Sequence, residues 1–159
     1  CTCCIYPMKI TSHAEKISRL MDLRERLDPL ADFELWYWTG LTAGTNMWNA
    51  SLHATGLTSE ERAFSTIPGV HVVPQADGSF RRELRDPADV SHVGWPAIPG
   101  DMPAPIQQLE AALHALETYR DPCLRGDRQP HPSIVDDCNR VLAQAFAIYE
   151  SLVSARSAA

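Results

Sequence analysis

Lysine is almost absent from this 159-residue chain: Lys9 and Lys16 stand beside twelve arginines and 20 acidic residues, for a net charge of −6 and a pI near 5.4. No basic run or basic helical stripe forms, which argues against a general nucleic-acid or anionic-membrane binder and leaves small ligands and protein partners. The usual catalytic signatures are missing too. There is no Gly-rich phosphate loop, no Gly-x-Ser-x-Gly elbow, no His-Glu-x-x-His and no pair of Cys-x-x-Cys motifs. Internal repeats are absent, as is low-complexity sequence beyond the small-residue tail Ser157 to Ala159.

A chain of this length buries a core without staples, so one domain over residues 1–159 is expected, and no metal or cofactor is needed to hold it. Cys1, Cys3 and Cys4 precede Met8, which is the expected natural start, and residues 1–10 are read as a loosely ordered extension. Those three thiols suit a soft metal by type, but at a frayed terminus no metal site is expected of them. No apolar stretch of the signal-peptide kind follows the first residues, so a cytoplasmic location is expected. Cys123 and Cys138 are then free thiols that would pair only in an oxidising compartment. Arginine in place of lysine, with abundant alanine, fits a GC-rich bacterial gene.

What the sequence does have is one uncharged stretch. From Leu35 to Ser59 no charged residue appears, and Phe33 to Gly56 reads as a helix capped by Asp32 and ended by Gly56. It is long enough to cross a bilayer, but Asn46, Asn49, His53, four threonines and three glycines keep its hydropathy near neutral, so a membrane span is rejected. Thr39, Thr42, Asn46, Asn49 and His53 lie 3, 4, 3 and 4 apart, on one helix face. Gly40, Ala43 and Gly44 allow another backbone to approach closely. Either the last helix of the same chain or a second copy of the chain is expected to cover this helix.

Around it the pattern predicts a mainly α fold, an antiparallel four-helix bundle with an inserted β-hairpin and a long proline-rich strap. The first helix starts at a Ser12/Glu15 capping box and turns Ile17, Leu20, Leu23, Leu27 and Leu30 inward. Residues 57–104 form the insertion. A Thr58/Glu61 capping box opens a short helix, Val70 to Val73 and Ser79 to Leu84 read as strands about an Asp77-Gly78 turn, and prolines 87, 96, 99, 103 and 105 stiffen the strap. A third helix spans Ala104 to Arg120 with Ile106, Leu109, Leu113 and Leu116 inward. A fourth begins at a Ser133 cap and carries a wide apolar band, including Ile134, Cys138, Val141, Ala145 and Ile148.

Three constellations bear on chemistry. The polar stripe of the second helix either lines a small-ligand pocket or forms a hydrogen-bonded network inside the fold, with His53 the best catalytic candidate because it exchanges a proton near neutral pH. The ligand-binding candidates are Thr42, Asn46, Asn49 and His53, with His92 and Trp95 from the strap. Glu110, His114 and Glu117 share a face of the third helix, expected to point to solvent. Arg81, Arg82 and Arg85 with His71 are expected to be solvated charge along a strand edge.

The pairs Arg125-x5-His131 and Arg85-x6-His92 loosely resemble the Arg-x4–6-His pair of the HEPN helical-bundle ribonucleases, which would imply RNA cleavage. The resemblance covers these four residues alone, and prolines 130 and 132 place His131 in a loop, so it ranks last. The leading expectation is a small cytoplasmic homo-oligomeric binding or scaffolding module that self-associates through the second helix. The alternative is an enzyme or small-ligand-binding protein with a pocket between the stripe and the strap.

Overall fold

The fold is mainly helical. The computed structural model describes residues 9–60, 70–84, 89–95, 97–98 and 100–159. Four α-helices lie among them: α1 (Ile10–Glu25), α2 (Phe33–Ala54), α3 (Ala104–Glu117) and α4 (Pro132–Ser157). Two strands, β1 (Val70–Pro74) and β2 (Phe80–Leu84), pair antiparallel with Val70 opposite Leu84 and Pro74 opposite Phe80. Gly78 supplies the positive φ of their turn. Residues 61–69, which hold most of the expected short helix, lie outside the described residues, as do Cys1, Cys3, Cys4 and Arg85.

α1 starts two residues before the expected Ser12 cap, with Lys9 at the N-cap position and no side-chain cap of its own. The free amide of Ile10 is met by Glu60 Oε2 at 3.0 Å, a carboxylate from beyond the end of α2. A long-range acid thus replaces the local capping box. The inward face also differs from the leucine-based expectation. His13, Ile17 and Arg24 are its buried residues, whereas Leu20, Leu23 and Leu27 are half-buried and Leu30 is exposed.

Arg24 reaches across the α1/α2 contact. Its Nη1 donates to Trp36 O at 2.6 Å and Nη2 to Asn139 Oδ1 at 3.1 Å, and the guanidinium carbon sits 3.4 Å from the Trp36 ring centre. No carboxylate pairs with it among the described residues, and desolvation pulls its pKa down to about 10. Gly40 makes the room: a Cβ there would lie 3.3 Å from Arg24 Nη1 and 3.5 Å from Leu142 Cδ2.

α2 is the central helix, in contact with α1, α3 and α4. Asp32 holds its N-cap position, but that carboxylate turns back to accept from Asp28 N at 3.1 Å. The far end closes as expected: Gly56 has φ of 74°, Gly56 N donates to His53 O and Leu57 N to Leu52 O, the pair of bonds of a Schellman motif. Gly44 faces Leu113 of α3, whose Cδ2 would lie 2.6 Å from an added Cβ. Tyr37, Met47, Trp48 and Leu52 fill the middle of the core with Ile106, Leu109, Leu116 and Leu142.

α3 carries the expected inward residues, with Pro105 in its first turn, and ends at Glu117, three residues early. A wide π-turn over Asp121–Arg125 leads toward α4. There the cap is His131 rather than Ser133: Pro132 suits the first helical position, and His131 Nδ1 accepts from Ser133 N at 3.2 Å. No helix among the described residues is long and apolar enough to cross a membrane.

Candidate functional site

An amide side chain of α2 clamps the strap. Asn49, in the interior of α2, accepts from Val90 N at 2.8 Å and donates to Val90 O at 3.0 Å, so its side chain answers both polar groups of a buried peptide as a neighbouring strand would. That clamp places Asp89 against the last turn of α2 and the first turn of α1. The result is a buried cluster of His13, His53 and Asp89, only 1%, 2% and 4% exposed.

Both imidazoles converge on a single carboxylate oxygen. Asp89 Oδ1 lies 2.6 Å from His53 Nε2 and 3.2 Å from His13 Nε2, and the two rings are 5.5 Å apart, tilted by 40°. The outer nitrogens are occupied as well: His13 Nδ1 is 2.9 Å from Asn46 Oδ1, and His53 Nδ1 is 2.7 Å from Thr58 Oγ1. Burial pushes the Asp89 carboxyl up, but the hydrogen bonds and charges of His13 and His53 outweigh it and hold the group below the ordinary carboxylate value. These are the one set of three His, Cys, Asp or Glu groups among the described residues whose ligand atoms converge, all within 4.8 Å of one another.

His53 also borders an open hollow of about 470 Å³, walled by Ala54, Gly56, Thr58, Ser59, Glu60 and Arg156. Arg156, near the end of α4, closes the rim. Its Nη1 donates to His53 O at 2.9 Å and its Nη2 pairs with Glu60 Oε1 at 2.6 Å. Glu60 therefore ties α1, the end of α2 and the end of α4 around the cluster.

The expected ligand residues divide between places. Thr39 and Thr42 donate back to carbonyls of their own helix, at Trp36 and Trp38, and Thr42 is exposed. Asn46 supports His13, Asn49 clamps the strap, and His53 alone of the stripe borders this hollow. His92 and Trp95 are joined by two backbone hydrogen bonds across a turn with Gly94 at φ 68°, and they line a separate hollow of about 350 Å³ with Val93, Glu117 and Arg120. That turn lies on the face of α3 expected to be solvated: His114 Nε2 is 3.3 Å from Val93 O, and Glu110 Oε1 would be 2.3 Å from a Cβ on Gly94. The strap touches Glu110 and His114 there, while His114 stays exposed as expected and Glu110 and Glu117 are half-buried. Val73 pairs with Arg81 and His71 with Glu83 in the strand register.

Sequence reasoning missed His13 and Asp89. His13 was open to discovery, since the buried face of α1 continued one turn back from Ile17 passes through it. Asp89 carried no signal, because the strap has no period. Comparison with family models, with curated proteins and with solved structures finds no match to the chain.

Proposed function

We propose that this chain is a small-ligand-binding protein whose site is the His13–Asp89–His53 cluster together with the hollow against His53. The observation that carries the reading is the convergence of two buried imidazoles on one buried carboxylate oxygen, with one of the two residues, His53, also lining an open hollow. Taking an ionised group out of water is costly, and apolar residues of similar volume would pack such a junction as well or better. Perturbed, paired titratable groups beside a cleft are where ligands and chemistry are sought first. His53 is the member of the cluster that lines the hollow, and Arg156 and Glu60 supply polar contacts at the rim.

The reading takes the four helices as an antiparallel bundle, supported by the short α1–α2 connection, and it takes the cytoplasm as the compartment, supported by the free thiols of Cys123 and Cys138. It is tested by ligand-observed NMR against a library of small polar molecules, using wild type and His53→Gln. Binders that shift the His53 imidazole signals and are lost in the variant are expected. Hits that move only His92 or Trp95, or none at His53, would count against it.

Self-association is the second reading, and Leu35 and Trp38 favour it. They are 53% and 40% exposed on the outer face of α2, next to exposed Leu30. Burial of most of α2 inside its own chain limits such an interface to this short strip. A strict monomer in light scattering at micromolar concentration would remove it.

A further inference from the structure

We propose that the His13–Asp89–His53 cluster binds one divalent transition-metal ion, of the zinc, cobalt or nickel class, through His13 Nε2, His53 Nε2 and a carboxylate oxygen of Asp89. The inference rests on reading the cluster as a ligand site and names what it holds. Hydrogen-bond accounting leads to it. Asn46 Nδ2 donates to Thr42 O at 2.8 Å, so its Oδ1 is the acceptor facing His13 Nδ1, and that nitrogen must carry the proton. In the neutral ring Nε2 is then a bare lone pair, 3.2 Å from a carboxylate oxygen. Unless the ring takes a second proton, two acceptors face each other in a buried place, and a metal cation between them answers both.

His53 fits the same pattern. Thr58 Oγ1 is able to accept from Nδ1, which turns the Nε2 lone pair toward the same oxygen of Asp89. Two imidazoles and a carboxylate, each imidazole held from behind by a hydrogen-bond partner, form the ligand set and the supporting shell of a metal site. Donor atoms around a tetrahedral ion at about 2.0–2.1 Å stand about 3.3 Å apart. The His13 to Asp89 separation already has that value, and the 2.6 Å between His53 and Asp89 has to open by under about one ångström. Nitrogen and oxygen donors favour the later first-row divalent ions over magnesium or calcium.

The test uses the full chain with Cys1, Cys3 and Cys4 replaced by serine, stripped with a chelator and titrated with Co(II) and Zn(II) by calorimetry and visible absorption. One ion per chain is expected, with micromolar or tighter affinity and a melting temperature that rises with excess ion. His13→Gln and Asp89→Asn should each weaken binding about 100-fold or more, and Asn46→Ala about 10–100-fold through the supporting shell. No stoichiometric binding by the folded parent, or affinity unchanged in folded His13→Gln and Asp89→Asn, would overturn the proposal. Should those two fail to fold by circular dichroism, unchanged affinity in Asn46→Ala overturns it instead. A chain that binds no ion but still yields small-molecule hits at His53 loses the metal and keeps the ligand site.

Discussion

Arg24 lies over the ring of Trp36 and donates to that same residue's carbonyl oxygen, so one buried cation uses both the face and the backbone of a single tryptophan. The carbonyl has another donor in Thr39 Oγ1, at 2.7 Å. Arg24→Met, which keeps volume and removes an unpaired buried charge, should therefore change stability by less than about 1.5 kcal/mol. Arg24→Ala leaves a cavity instead and should cost about 2–5 kcal/mol. Urea unfolding of the two variants checks this; equal losses would mean that the charge, rather than the volume, matters.

Asn49→Ala removes both partners of the Val90 peptide and leaves its buried N–H and C=O unanswered. A loss of about 2–4 kcal/mol is expected from two unsatisfied backbone groups. Hydrogen exchange should quicken at Val90, while amides in the middle of α4 slow or quicken only with global stability. Unchanged exchange at Val90 would show that the strap is held by something else.

Gly44→Ala places a methyl 2.6 Å from Leu113 Cδ2, in a part of the core where Leu113 has little freedom. Overpacking of about 1–3 kcal/mol is expected. The double variant Gly44→Ala with Leu113→Val should recover part of it, because the truncated side chain vacates the clash. Additive losses in the double-mutant cycle would place the strain elsewhere.

Cys138 is buried, and desolvation pushes its thiol up to about 12 although the nearby Arg24 charge pulls the other way. The folded value lies above the unfolded one, so this contribution is fully present below about pH 9 and is lost as the pH climbs toward 12. Stability should fall over that window, and Cys138→Ala should flatten the fall. At pH 8 a thiol reagent should reach Cys138 only as fast as the protein unfolds. Rapid labelling of the native state, with Cys1, Cys3, Cys4 and half-buried Cys123 replaced by serine, would contradict the burial.

Local signals carried the helices well. The Leu and Ile spacing of α3, the apolar band of α4 and the Gly56 terminus of α2 were all readable from period and turn chemistry. What failed were ends and faces decided from far away. The Ser12 box lost to Glu60, 50 residues from Ile10, and the Ser133 cap lost to the residue that Pro132 made available. The α1 face could not be placed from its leucines because His13 and Arg24 bury only where Asp89, Asn46 and Trp36 receive them. His53 and Asn49 were visible as part of a polar stripe, yet the stripe spoke only for its own helix. That Asp89 would descend between two histidines is a property of the strap's path, which no spacing in the sequence encodes.

The clip made by Glu60 and Arg156 sets an order of assembly. The contacts that build the site join positions 50, 76 and 103 residues apart, at Ile10–Glu60, His13–Asp89 and His53–Arg156. Helices can form from neighbouring residues long before such loops close. During synthesis α1 and α2 emerge well before Arg156, which follows His53 by 103 residues. The rim of the site then closes later than the cluster it borders, and a copy cut short before Arg156 can hold His13, His53 and Asp89 without the clip.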